Sequence, residues 1–276
     1  MKYFTLLFFC LFTQFVLGQI SYVDGFSEGN SIAQHDREFY VKNTTAYKYS
    51  DDKGNTMSYR LFLPADYNPN KKYPLVLSLH GAGSRGNDNL KQLCPWVAGW
   101  IDKEVQREHP CIILMPQCPS NEQWVNVPWK NGSYNMKEIP LSTPMKLAKE
   151  ILDKVILENS VDKDRVYVIG VSMGGYGTWN FITRYHKMIA AAVPVCGAGD
   201  PSMAQNIKNL PIWAFHGDKD TTVPLSGSME MVKALNRFKK HQARLTIYKG
   251  VGHKSYELAW KNPGLIDWLF SQKKND

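Results

Sequence analysis

The chain has 276 residues, 43% apolar and 12% aromatic, which is enough to bury a sizeable core and excludes a disordered chain. Its formal charge of +8 is scattered over lysines such as Lys71-Lys72, Lys239-Lys240 and Lys273-Lys274, which excludes the concentrated basic stripe of a nucleic-acid binder. No internal repeat, low-complexity tract or Pro/Ser-rich linker divides it, so one large α/β domain is expected.

The first eighteen residues stand apart. Lys2 supplies a positive start, Phe4 to Val16 is almost wholly apolar, and Val16-Leu17-Gly18 offers small residues where a signal peptidase cuts. The pattern predicts a signal peptide over 1–18 and an exported mature chain, 19–276, periplasmic or secreted. The apolar run is too short to span a bilayer and no stop-transfer charges follow, so no membrane insertion is expected after cleavage. Cys10 lies inside the run, not after a cleavage-like tripeptide, and gives no support to a lipid anchor.

Residues 19–36 are polar with glycines and predict an irregular lead-in. Phe39 to Tyr49 and Met57 to Leu63 read as strands on either side of the turn Asp51-Asp52-Lys53-Gly54-Asn55, an antiparallel hairpin at a sheet edge. Leu75 to Leu79 is continuously apolar, as expected of a parallel strand covered on both faces. Cys111 to Met115, Val166 to Ile169, Ala190 to Val195, Ile212 to Phe215 and Leu245 to Tyr248 repeat the type. Between them, Pro144 behind Ser142-Thr143 opens a helix carrying Leu147, Ile151, Val155 and Ile156 at helical spacing. Tyr176 to Ile182 reads as another, Met229, Val232, Leu235 and Phe238 mark a third, and Leu265 to Leu269 the last. Alternating strands and helices imply right-handed crossovers and a mainly parallel sheet, with functional groups at the carboxyl ends of its strands.

Three such ends carry chemistry. Gly170-Val171-Ser172-Met173-Gly174 follows the Val166 strand directly and leads into a helix, a tight turn that pushes the serine hydroxyl out over the sheet. Asp220 follows the Ile212 strand in His216-Gly217-Asp218-Lys219-Asp220, and His253 follows the Leu245 strand. Serine, aspartate, histidine is the chain order of a nucleophile-elbow hydrolase. A serine hydroxyl becomes a useful nucleophile when an imidazole takes its proton during attack. His253 suits that role, and Asp220 would hold its tautomer and its charged form. Asp218 is the rival acid; Asp220 is preferred because it sits further into the loop, before Val223-Pro224. For the oxyanion, the N–H of Ala82 in Leu79-His80-Gly81-Ala82-Gly83 and that of Met173 are the proposed donors. His80, and with it His216, reads as a residue that holds its loop by hydrogen bonds.

Taken together, Leu79-His80-Gly81-Ala82-Gly83, Met115-Pro116-Gln117-Cys118-Pro119, Gly170 to Gly175, His216 to Asp220 and Gly252-His253 resemble the α/β-hydrolase esterases. The nearest group is the one related to dienelactone hydrolases, polyhydroxybutyrate-depolymerase-like enzymes and feruloyl esterases, over about Met57 to Leu269. The resemblance implies an α/β-hydrolase fold, with helices on both faces of a mainly parallel sheet and an antiparallel N-terminal hairpin. It also implies hydrolysis of a small-molecule or polysaccharide ester, with feruloyl or acetyl groups on plant polysaccharides or oligosaccharides as the substrate class. Ser172 stands where dienelactone hydrolase itself has cysteine, which favours ordinary carboxylic esters.

Trp124 and Trp129 lie in a loop after a strand end, where they could stack on a sugar or a phenolic acyl group or simply pack beneath the loop. No metal or cofactor is expected: there is no H-E-x-x-H, no paired-cysteine motif and no G-x-G-x-x-G after a strand. Cys94, Cys111, Cys118 and Cys196 remain after cleavage; a Cys94–Cys118 disulfide is one pairing that export permits. Two other functions stay open on the sequence. One is a serine peptidase of the prolyl-oligopeptidase type, although the chain has no room for that group's N-terminal propeller. The other is a carbohydrate-binding protein with an inactive hydrolase fold.

Overall fold

The computed structural model describes residues 20–24, 37–238 and 243–274; the expected signal peptide lies outside them. Nine strands form one sheet in the order β1-β9-β8-β7-β6-β4-β5-β3-β2. They are β1 (Ile20–Asp24), β2 (Thr45–Ser50), β3 (Thr56–Phe62), β4 (Tyr73–Leu79), β5 (Ile112–Pro116), β6 (Val161–Val171), β7 (Ala191–Val195), β8 (Ile212–Gly217) and β9 (Ala243–Lys249). From β1 to β5 every neighbouring pair is parallel; β3 pairs antiparallel with β5 and with the edge strand β2. This is the α/β-hydrolase fold with its antiparallel hairpin.

The apolar runs become central strands because both of their faces are covered. Leu75, Leu77 and Leu79 of β4 enter one core layer and Val76 the other; Val166 and Val168 of β6 oppose Tyr167, Ile169 and Val171 in the same way. One layer is closed by α4 (Thr143–Glu158), α5 (Met173–Tyr185) and α6 (Ser226–Leu235). The other is closed by α1 (Arg37–Asn43), α2 (Pro95–Ala98), α7 (Tyr256–Ala259) and α8 (Leu265–Ser271), while α3 (Lys103–Glu108) buries none of its residues. The start of α4 follows local chemistry: the Ser142 hydroxyl caps it by accepting from Met145 N–H at 3.2 Å, with Pro144 in the first turn.

Two expectations at the N-terminal end need correction. The first half of the expected Phe39–Tyr49 strand is the helix α1, with Glu38 in its first turn and Lys42 in its last. Its aromatic composition suits a strand, but burying Tyr40 in the second core layer decides otherwise. In the lead-in, Ile20–Asp24 is a strand, not irregular chain, and pairs in parallel with β9 from Ile20↔Leu245 to Asp24↔Lys249. Ile20 packs on one core layer and Val23 on the other, so five residues cover an otherwise open sheet edge.

The chain crosses one face of the sheet to run from β4 to β5, passes back over β4 to β6, and continues outward through β7, β8 and β9. The reversal falls between β4 and β6. A crevice therefore opens at their carboxyl ends, between the Gly81-Ala82 loop and Ser172.

Candidate active site

Ser172 sits between β6 and α5 at φ 57° and ψ −118°, a conformation non-glycine residues rarely adopt. The surrounding packing holds it there. Ser172 N–H donates to Val195 O at 2.9 Å, and Ser172 O accepts from Tyr176 N–H at 3.0 Å. The flanking glycines are required by space: a Cβ on Gly174 would lie 1.9 Å from Leu79 O, and one on Gly170 2.3 Å from Gly174 O.

From this turn the Ser172 hydroxyl lies 2.8 Å from His253 Nε2. His253 Nδ1 lies 2.8 Å from Asp220 Oδ2. His253 is partly exposed, whereas the Asp220 side chain is fully buried. The other carboxylate oxygen, Oδ1, accepts from the N–H groups of Thr222 and Val223, each at 2.9 Å. Burial by itself would raise the Asp220 pKa, but hydrogen bonds from His216, His253 and the backbone hold it well below the usual carboxylate range. Asp218 stands apart, with Oδ1 accepting from Gly250 N–H at 2.7 Å across the turn between strand ends. Nδ1 of His253 thus carries the proton given to Asp220, leaving Nε2 free to accept from Ser172. Cys196 Sγ also lies within 4.8 Å of the Asp220 and His253 donor atoms. The carboxylate and the imidazole are already committed to each other, and burial pushes the Cys196 thiol up to about 12.

Ala82 and Met173 each begin a helical turn, at Ala82–Ser84 and at the start of α5. Among the described residues no protein oxygen accepts from either backbone N–H. His80 fixes the first of these loops: Nδ1–H donates to Gly81 O at 2.7 Å and Nε2 accepts from Cys118 N–H at 2.9 Å. Both nitrogens are used by a ring carrying one proton, and burial pushes its pKa down from 6.5 to about 4. An unfolded His80 takes up a proton as pH falls below 6.5, and the folded one does not until about pH 4. Stability is therefore lost with falling pH across that window, by about 3 kcal/mol from this group. Thermal melting from pH 7 to 4.5 should show a steep loss, and a markedly shallower one in His80→Gln. Equal slopes in the two proteins would assign the acid sensitivity to other groups.

Over Ser172 lies an apolar cleft of about 550 Å³, with Ala82, Trp96, Trp129, His253, Tyr256 and Trp260 among its walls. Trp129 is among its lining residues; Arg85 lies over its ring, 5.9 Å from the centroid, and the Trp129 carbonyl accepts from Tyr176 OH at 2.8 Å. Trp124 is placed differently. It is fully buried, its Nε1–H donates to His80 O at 3.0 Å, and its side chain fills the space above Gly177. The indole braces the Gly81-Ala82 loop from below and offers no face to the cleft. A Cys94–Cys118 disulfide is not formed: Cys118 packs in one core layer and Cys94 against the other, on opposite sides of the sheet. Sequence reasoning missed Trp96, Tyr256 and Trp260. The only local signal was a concentration of tryptophans around residues 96–100, which reads as ordinary helix packing.

An elbow serine, an imidazole and a buried carboxylate at three strand ends of this sheet define an α/β-hydrolase. The chain belongs to the Esterase family, whose model matches residues 50–275. A thermostable esterase of known structure is 36% identical with a TM-score of 0.78, over 86% of this chain and 64% of that one. The bifunctional acetylxylan esterase/xylanase of Neocallimastix patriciarum is 25% identical over 178 residues, 64% of this chain and 23% of its own length. "Probable feruloyl esterase C" of Aspergillus oryzae is 23% identical over 198 residues, 72% of this chain and 66% of its own. The chain thus spans less than two thirds of each of these three relatives. The feruloyl esterase module from Clostridium thermocellum, solved with sinapinate, shares the fold at 16% identity and a TM-score of 0.60, over 86% of this chain and 91% of that one.

Proposed function

We propose that this protein hydrolyses carboxylic esters through an acyl-enzyme, on feruloyl or acetyl esters of plant polysaccharides or oligosaccharides. The observation that carries the reading is the relay Ser172–His253–Asp220, with both links at 2.8 Å. His253 Nε2 takes the Ser172 proton as Oγ attacks the acyl carbon. Asp220, held ionised, keeps the ring in its tautomer and stabilises the imidazolium as it forms. The N–H groups of Ala82 and Met173 are available for the oxyanion. Collapse of the tetrahedral species passes the proton from His253 to the leaving alcohol, and water repeats the sequence to release the acid.

The cleft supports the substrate class. An apolar volume of about 550 Å³ bounded by Trp96, Trp129, Tyr256 and Trp260 suits a planar phenolic acyl group, because offset or edge-to-face ring contacts favour it. The names of the acetylxylan and feruloyl esterase relatives point the same way. We assign the mature chain to residues 19–276 as one catalytic domain, exported after cleavage behind Gly18. No helix among the described residues is long and apolar enough to cross a membrane.

Turnover of p-nitrophenyl acetate, methyl ferulate, feruloylated arabinoxylo-oligosaccharides and aminoacyl p-nitroanilides tests the reading. Ester cleavage is expected, with kcat/KM for methyl ferulate at least about tenfold above that for methyl acetate, the value of about 1.4 kcal/mol from aromatic contacts. Cleavage of the anilides with no activity on esters would instead establish a peptidase. Binding of xylan without turnover of any of these would establish a binding protein.

A further inference from the structure

Asp220 is approached by two imidazoles. On the side away from His253, His216 Nε2 lies 3.4 Å from the same Oδ2 and 3.0 Å from Val223 O. His216 is completely buried at the end of β8, and its Nδ1 lies 2.8 Å from the Ser228 hydroxyl on α6. Ser228 Oγ in turn lies 3.1 Å from Gly197 O, in the turn after β7.

The hydrogen atoms can be assigned from the partners. Nε2 faces two oxygens that only accept, so it carries a proton, directed to the nearer Val223 O with Asp220 Oδ2 beside it at 3.4 Å. Nδ1 lies 2.8 Å from the Ser228 hydroxyl, which itself donates to Gly197 O at 3.1 Å, so Ser228 ties the ring to the turn after β7. Ser228 thereby fixes the ring orientation that His216 presents to the acid loop. The result is one continuous chain: Ser228, His216, Asp220 with Val223, His253, Ser172. Every link joins a different element, and the Asp220–Val223 loop is clamped at both its carboxylate and a backbone carbonyl.

We propose that His216 is a positioning residue for ester hydrolysis: with its ring held by Ser228, it keeps the Asp220 carboxylate in register with His253. It does not touch substrate and acts only through Asp220. The inference rests on the triad reading above. Without His216, Val223 O loses its buried donor and Oδ2 loses its second constraint, so the acid can drift from the line of His253 Nδ1. Misplacement on the scale of 1 Å in such a group costs up to about 100-fold in rate. Because Asp220 matters most when the imidazolium forms, the loss belongs in kcat and not in KM.

A double-mutant cycle on the full chain tests this with p-nitrophenyl acetate. His216→Ala is expected to lower kcat roughly 10- to 100-fold, with KM within about twofold, because ground-state binding is untouched. His216→Gln, whose amide can still donate toward Val223 O, should recover most of that loss. In an Asp220→Ala background, His216→Ala should change kcat by less than about twofold, since the residue it acts through is gone. Ser228→Ala keeps the imidazole and removes only the contact that fixes its ring, so it serves if His216→Ala does not fold. It should lower kcat by about three- to tenfold, again only when Asp220 is present. Equal fold-losses in the native and Asp220→Ala backgrounds, or melting temperatures that fall while kcat holds, would overturn the proposal and leave the triad standing. An Asp220→Ala protein with unchanged kcat would overturn the triad reading, and this inference with it.

Discussion

Ser172→Ala should lower kcat/KM for p-nitrophenyl acetate by roughly 10⁵- to 10⁶-fold, the scale on which removal of an acyl-enzyme nucleophile acts. His253→Ala should cost about as much, and the double variant no more than either single one. In the proposed mechanism the hydroxyl and the ring 2.8 Å away perform one step together, so losing either would lose the step. Fluorophosphonate labelling should disappear in Ser172→Ala while the melting temperature changes little, because Ser172 is largely buried yet fills no core volume. A residual activity within about tenfold of the native protein would remove Ser172 from the mechanism. Losses that multiply between Ser172→Ala and His253→Ala would mean that the two groups act in separate steps.

Gly174→Ala should be the most damaging of the glycine-to-alanine changes that press on backbone among the described residues. Its Cβ would lie 1.9 Å from Leu79 O and 2.5 Å from Leu79 C, and also 2.9 Å from His80 O. These are backbone atoms of β4 and of the loop that carries Ala82, so no side chain can rotate out of the way. Either α5 moves off β4 or the turn at Ser172 opens. We expect a loss of at least about 4 kcal/mol, the extreme of the single-substitution range, read as a lower denaturation midpoint or as insoluble protein. Gly83→Ala is the control: it lies in the same loop with nothing within 4 Å of its Cβ position, and should fold normally. Native stability in Gly174→Ala would show that helix and strand approach less closely than 1.9 Å implies.

Both outcomes reflect how the site is built. The three polar side chains belong to turns that leave β6, β8 and β9, and the buried strands before those turns fix where each begins. The donors come from the loop after β4 and from the first turn of α5. The rigid parts are those with the least freedom to change: a serine at positive φ, glycines in backbone contact, and a carboxylate held by two backbone N–H groups and an imidazole.

The candidate triad was legible because each member directly follows an apolar run that reads as a parallel strand, and chain order then constrains their roles. The choice of Asp220 over Asp218 rested on loop position, and the structure joins Asp220 to His253 while Asp218 caps a turn. Trp124 shows the limit of that reasoning. Nothing local distinguishes an indole that stacks on a ligand from one that donates to His80 O beneath a loop. Strand β1 was missed for a related reason. Ile20-Ser21-Tyr22-Val23-Asp24 is too short to announce itself, and only the open edge of β9 gives it a place. In α1, the aromatic composition favoured a strand, and burial of Tyr40 decided for a helix.

The sequence by itself determined the order of strands and helices, the parallel sheet and the identity of the candidate reacting groups, because period, punctuation and side-chain chemistry are local properties. Tertiary structure alone decided which tryptophans face the cleft, which cysteines stand on opposite sides of the sheet, and that a second imidazole shares the Asp220 carboxylate. Those depend on which segments far apart in the chain come within a few ångströms, and contact at that range is set by packing, not by neighbours in sequence.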